Sequence, residues 1–160
     1  MKNVLLLISI TLLISKANAQ EKQSITAVKL VEIADKADFS ILVKLVSVLN
    51  YMVLDSSWDE KGVLFYFAKE SKTNGNVLAC SADTKNKITE FTFNTFISET
   101  NIDLKAQLKK LGFNSGGIIK KNSAGILESE DFEKDSLLIA TATVENKQGK
   151  NFFEFTFIKW

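Results

Sequence analysis

Two stretches of this chain carry the same alternating pattern, 64 residues apart: Thr89-Glu90-Phe91-Thr92-Phe93 recurs as Phe153-Glu154-Phe155-Thr156-Phe157. Alternation of phenylalanine with polar residues is the period of a β-strand, whose successive side chains point to opposite faces. Such a strand buries one face and leaves the other polar, so it calls for an antiparallel sheet packed on its phenylalanine side. Its recurrence points to an internal duplication, which sets the architecture of the whole chain. Upstream, Cys80-Ser81-Ala82 resembles Ala140-Thr141-Ala142, and Asn86-Lys87 recurs as Asn146-Lys147. Farther upstream, Leu49-Asn50-Tyr51 resembles Leu111-Gly112-Phe113, with Leu42 and Val46 matching Leu104 and Leu108. The offsets of these pairs agree within four residues, and a longer last turn in the second copy absorbs the difference.

Hydrophobic spacing and capping residues place the remaining elements. Residues 25–34 read as a short helix capped by Ser24, with Val28 and Val31 on one face. Asp38 is the expected N-cap of a second helix over 39–49, with apolar residues at 42, 45, 46 and 49. Strands are expected at 51–56, 62–68, 77–83 and 88–95, with turn signals at Asp59-Glu60-Lys61-Gly62 and Asn74-Gly75. In the second half, Thr100 or Asn101 caps a helix over 102–111 that Gly112 stops in the left-handed region. Strands follow near 117–121, 125–128, 136–145 and 152–160, the last hairpin turning at Gln148-Gly149-Lys150-Asn151.

The expected fold is α+β. Two tandem repeats, each of helix then four antiparallel strands, form a curved sheet with helices on one face. Two separate four-stranded sheets are the alternative. The expected divisions are a signal peptide at 1–19, a first repeat at 20–95 and a second at 96–160. This order of elements resembles the tandem-repeat architecture of the β-lactamase-inhibitor-protein-like fold. That resemblance implies a sheet surface used to bind another protein.

The N-terminus reads as a secretory signal. Lys2 precedes an apolar run over 4–14, and Ala17-Asn18-Ala19 supplies small residues at the cleavage positions. The run is too short to span ~30 Å of hydrocarbon. Gln20 rather than Cys follows the expected cut, so no lipobox cysteine is present there. The expectation is export to the periplasm or beyond, with no stable membrane anchor after cleavage. Cys80 is the lone cysteine, so no intrachain disulfide forms and stability must come from the core.

Composition then removes whole classes of chemistry. The chain has no histidine, and all 20 of its basic residues are lysine, against 19 acids. Without histidine there is no Ser-His-Asp or Cys-His arrangement and no His-ligated metal site. Without arginine there is no bidentate fork for phosphate or carboxylate. Ser-x-x-Lys is absent as well. A net charge of +1 provides no field for nucleic acid. Carboxylate chemistry, oxygen-ligated hard metals or no catalysis remain, and no cofactor or metal site is expected.

Five features bear on function. The acidic run from Glu128 to Asp135 lacks the spacing of a calcium loop and reads as a solvated connector. Gly116-Gly117 leads into Ile118-Ile119 rather than into a helix, so it reads as a turn and not a phosphate loop. Cys80, aligned with Ala140, reads as a small buried slot with an inert thiol. Glu90 and Glu154 occupy equivalent positions and read as solvated. A carboxylate-based hydrolase would need two such groups at ~5–9.5 Å. By strand parity the open face carries Leu64, Tyr66, Thr92, Thr156, Ile158 and Trp160, with Trp58 approaching the first turn. Aromatic residues on an open sheet suit a protein interface. The expected function is therefore a non-enzymatic binding module for another envelope or extracellular protein, acting through those six residues. A carrier of an apolar small ligand, with its cavity between helices and sheet, is the alternative, and a hydrolase ranks behind both.

Overall fold

A computed structural model of the protein describes residues 25–59, 62–69, 75–123 and 126–160. The expected signal peptide and the Ser24 cap lie outside these residues. Among the described residues no helix is long and apolar enough to cross a membrane. Helices α1 (Ala27–Lys36) and α2 (Phe39–Val48) precede strands β1 (Met52–Asp59), β2 (Gly62–Lys69), β3 (Asn76–Ala82) and β4 (Ile88–Thr95). Helix α3 (Ser98–Lys110) then leads into β5 (Asn114–Ser123), β6 (Ile126–Lys134), β7 (Leu137–Glu145) and β8 (Asn151–Lys159). All eight strands form one open antiparallel sheet in the order β1-β2-β3-β4-β8-β7-β6-β5. The β4–β8 pairing joins the halves, so there is one sheet and not two.

Local chemistry explains where the helices begin and end. The Thr26 hydroxyl accepts from Lys29 N at 3.4 Å and caps α1. The buried stripe of α1 is Ala27, Leu30, Ile33 and Ala34; of the expected pair, Val31 packs partly against the core beside it, whereas Val28 is 55% exposed. Ala27 N donates to Gln107 Oε1 of α3 at 2.9 Å, which turns the small alanines toward the close approach between helices. Asp38 caps α2 as expected, accepting from Ser40 N at 2.8 Å. Helix α3 starts at Ser98, earlier than the expected cap at Thr100 or Asn101. Nothing in Ser98-Glu99-Thr100 breaks a helix, and Glu99 complements the N-terminal dipole.

Helices α2 and α3 end alike. Tyr51 N donates to Val46 O at 2.8 Å, and Phe113 N to Leu108 O at 3.1 Å. The preceding residues, Asn50 and Gly112, have φ of 58° and 85°. This is the Schellman stop, in which a left-handed residue lets the chain reverse while orphan carbonyls stay bonded. Tyr51 and Phe113 are then buried as the chain enters β1 and β5.

One hydrophobic cluster unites the helices and one set of alternating strand positions. Leu30, Ile33, Leu42, Leu104 and Leu108 pack with Leu78, Phe91, Phe93, Phe132, Ile139 and Phe155. Across the β4–β8 seam, the Phe91–Phe157 and Phe93–Phe155 rings lie 5.0 and 6.0 Å apart. Each such pair contributes about 0.5–1.5 kcal/mol beyond its buried area.

The acidic run is not a connector. Residues up to Lys134 belong to β6, where alternation splits the charges between two faces and relieves their repulsion. Ser129, Asp131 and Glu133 face outward, whereas Glu128, Glu130 and Phe132 face the core. Phe132 is fully buried, and its burial draws the segment into the sheet. Glu130 is 4% exposed and is answered on both oxygens. Its Oε1 accepts from Ser115 Oγ at 2.6 Å and lies 3.4 Å from Lys109 Nζ, and its Oε2 lies 3.2 Å from Lys105 Nζ. The glycine pair is likewise inside β5, where Gly117 (φ 85°) sits in a bulge between Ser115 and Ile118.

Cys80 and Ala140 are not positional counterparts. Cys80 faces Phe91, but the residue facing Phe155 is Thr141, while Ala140 faces Thr156 on the opposite side of the sheet. The β3–β4 register itself shifts between Ser81 and Ala82.

Candidate binding face

The strand positions that alternate with the core form an outer face whose side chains are mostly half-buried. One row runs Asp55, Tyr66, Ala79, Thr92, Thr156, Ala140, Asp131, each paired with the next across six strand junctions. Small residues at its centre leave the larger neighbours standing proud. The adjacent row runs Ser57, Leu64, Ser81, Glu90 in the first half and Ile158, Leu138, Glu133 in the second, Glu90 and Ile158 lying one residue beyond the Phe91–Phe157 pair. Five of the six expected residues therefore share two neighbouring rows: Leu64, Tyr66, Thr92, Thr156 and Ile158. Trp160 does not join them. It stands beyond β8, where it lines a cleft of about 520 Å³ with Ala34, Lys159 and Phe157 at the end of the sheet.

The face carries one depression that sequence parity alone did not single out. A groove of about 450 Å³ is lined by Leu54, Asp55, Tyr66, Val77, Asn94, Phe96, Asn146 and Phe152. The Phe96 and Phe152 rings lie 5.8 Å apart at one end of it. Asn94 lines the groove, and its Oδ1 is buried without a hydrogen-bond partner. The signal for the aromatic pair was present: Phe96 shares parity with Thr92 and Asn94, and Phe152 with Glu154 and Thr156. What hid it was the end of β4 at Thr95, beyond which parity carries no authority.

The candidate chemical groups are placed as follows. Glu154 stands opposite Asn94, and Glu90 lies four residues from Asn94 along β4. At ~3.4 Å per residue and ~4.8 Å between strands, their Cα positions are about 14 Å apart. Each carboxylate accepts from a neighbouring hydroxyl, Glu90 from Ser81 Oγ at 3.3 Å and Glu154 from Thr156 Oγ1 at 3.4 Å. Cys80 faces the core between Phe65 and Phe91, and burial pushes its thiol up to about 12, which suppresses the thiolate. Glu130 faces the core, where burial opposes its ionisation. The Ser115 hydroxyl and the Lys105 and Lys109 ammoniums outweigh that effect and hold its carboxyl below the ordinary range. A general acid needs the opposite shift. The Trp58 side chain lies outside the described residues.

No protein-family model matches this chain, and searches of curated proteins and of solved structures found no match.

Proposed function

We propose that this chain is an exported, non-enzymatic binding protein that engages another envelope or extracellular protein through the outer face of its sheet. Leu64, Tyr66, Thr92, Thr156 and Ile158 stand at the centre of the contact, with Trp160 at its margin. The observation that carries this is the contrast between the two sets of strand positions. One set is closed into the core, while the other holds aliphatic and aromatic side chains half-exposed in continuous rows. Eight strands of about eight residues, ~4.8 Å apart with ~3.3 Å per residue, present roughly 1,000 Å² on a face. A stable protein interface uses about 800 Å² per partner, so the face is large enough for one.

The proposed architecture behind this face is a duplication of one helix-then-four-strand unit, over 20–95 and 96–160, with the helices sharing one side. The sequence offset of 64 and the β4–β8 register are independent of each other. Together they put Thr92 opposite Thr156, its own counterpart, where a two-fold relating the halves would pass. The matching Schellman stops after α2 and α3 support the same origin. Export rests on Lys2, the apolar run and Ala17-Asn18-Ala19.

The aromatic groove favours a second occupant, a small apolar ligand, on the same face rather than between helices and sheet. The test is a double variant, Tyr66→Glu with Thr156→Lys, which places charge in the central row without touching the core. It should keep the wild-type circular dichroism and melting temperature and lose the protein captured by wild type from envelope extract. Solvent extraction of the purified wild type, followed by mass spectrometry, detects a carried ligand instead. A partner retained by the folded double variant contradicts the proposed face.

A further inference from the structure

We infer that the outer face takes a cationic, amphipathic polypeptide segment, whose basic groups meet the face's carboxylates while an apolar side chain or lysine stem enters the groove between Tyr66 and Phe152. This deepens, and rests on, the assignment of that face as the binding surface.

Outside β5, the described outer positions of the sheet collect carboxylates without lysines, although the chain as a whole is nearly balanced and Glu128, Glu130 and Glu145 lie on the core side. Asp55, Glu90, Asp131, Glu133 and Glu154 all occupy outer positions. Lys69, Lys134 and Lys159 all occupy core-side positions of their strands. Two of these lysines are held on that side: Lys134 Nζ donates to Leu111 O at 2.7 Å, and Lys159 Nζ bonds Asp35 at 2.9 Å. Among the described side chains of β1–β4 and β6–β8, the outer positions thus hold five carboxylates and no lysine. Ser81 and Thr156 hydroxyls donate to Glu90 and Glu154 at 3.3 and 3.4 Å, leaving acceptor capacity free toward solvent.

The groove asks for the same chemistry. Asp55 forms part of its wall, and Glu154 stands beside its floor opposite Asn94. Asn94 Oδ1 is a buried acceptor that lacks a donor. The rings of Tyr66, Phe96 and Phe152 present π faces, which attract a cation as well as an alkyl stem. An acidic or anionic partner would meet like charge here. A neutral one would desolvate carboxylates without pairing them, and both situations oppose association. A segment that carries lysine or arginine beside bulky apolar residues matches both the carboxylates and the rings.

The test uses three synthetic peptides with the same alternating leucine and phenylalanine residues, differing only in lysine, serine or glutamate between them. Chemical-shift mapping locates each peptide and titration gives its affinity at low and high salt. The lysine peptide should shift Tyr66, Asn94 and Phe152 and bind at least about tenfold tighter than the serine peptide, an advantage that ~0.5 M salt largely removes by screening. The glutamate peptide should not bind. Asp55→Asn and Glu154→Gln should each weaken the lysine peptide about two- to fivefold, the usual range for a rim charge. Equal binding of the lysine and serine peptides on the outer face overturns the cationic specificity and leaves the face assignment standing. Shifts confined to the helices in all three titrations overturn both. Concentration-dependent shifts of the same outer residues without peptide make the occupant a second copy of this chain, and overturn the inference too.

Discussion

Glu130→Gln removes the only buried charge that this sheet directs into its core among the described residues. The amide can still accept from Ser115, but its nitrogen has nothing to receive from it at the Lys105 ammonium, which the carboxylate meets at 3.2 Å. The Lys105 side chain is only 16% exposed, so its charge is left largely desolvated and unpaired. Breaking a buried pair costs about 3–5 kcal/mol, and a hydrogen bond to a charged group about 1.5–3 kcal/mol. Lys109 is 57% exposed on its side chain and adds little, because solvent screens it. The net expectation is a loss of about 2–3 kcal/mol. In urea, with a slope of about 2 kcal/mol/M, that lowers the midpoint by roughly 1–1.5 M without changing the slope. Lys105→Met should cost a similar amount, by stranding the carboxylate. The double variant Glu130→Met/Lys105→Met should recover much of the loss, because replacing both partners leaves no orphan charge. The carboxyl titrates below its ordinary 4.5 in the folded protein, so its stabilisation is complete above that value and is lost as pH falls through the folded one. The difference in stability between wild type and Glu130→Gln should therefore shrink on acidification below pH 4.5. A loss under about 0.5 kcal/mol for Glu130→Gln, or strict additivity in the double variant, refutes the role assigned to this cluster.

Three further outcomes test the packing. Cys80 should ignore a thiol reagent in the native protein and react once denaturant is added, and Cys80→Ala should cost roughly 1 kcal/mol, since little volume is lost; rapid native labelling contradicts its burial. Gly62→Ala should destabilise by at least about 2 kcal/mol in chemical denaturation, because an added Cβ falls 2.1 Å from the Ala82 carbonyl oxygen, a backbone atom that cannot swing aside. Ala37→Gly should raise stability by about 0.5–1 kcal/mol, because Ala37 closes α1 at φ 48°, where glycine has no Cβ penalty; an unchanged or lowered melting temperature contradicts that.

The elements that could be read from the sequence are those in which one period dominates. Residues 90–94 alternate strictly, and the strand expected over 88–95 forms as β4 within those limits. Asp38 and Gly112 are local signals, one a side chain that caps and the other a residue free to turn left-handed, and both act as expected. Where long-range contacts decided the outcome, local pattern failed. The first turn of α1 is tied to Gln107, 80 residues away, and its buried stripe packs on partners from the rest of the chain. The acidic run becomes a strand because Phe132 needs the core and because Ser115, Lys105 and Lys109 wait there for Glu130. No property of 128–135 taken alone reveals those partners. On the outer face, Leu64, Tyr66, Thr92, Thr156 and Ile158 follow from parity, which survives as long as a strand stays regular. The groove needed the position of Phe96 after β4 ends, and Trp160 escaped because parity says nothing about where a chain goes after its last strand.

Site-directed photo-crosslinking in the cells that make the protein tests the central claim most directly. A photoreactive residue is placed at Tyr66 or Ile158, both exposed on the outer face, and in separate variants at the exposed Val43 of α2. The outer-face account predicts discrete protein adducts from positions 66 and 158 and none from position 43. Adducts from position 43 alone would contradict it.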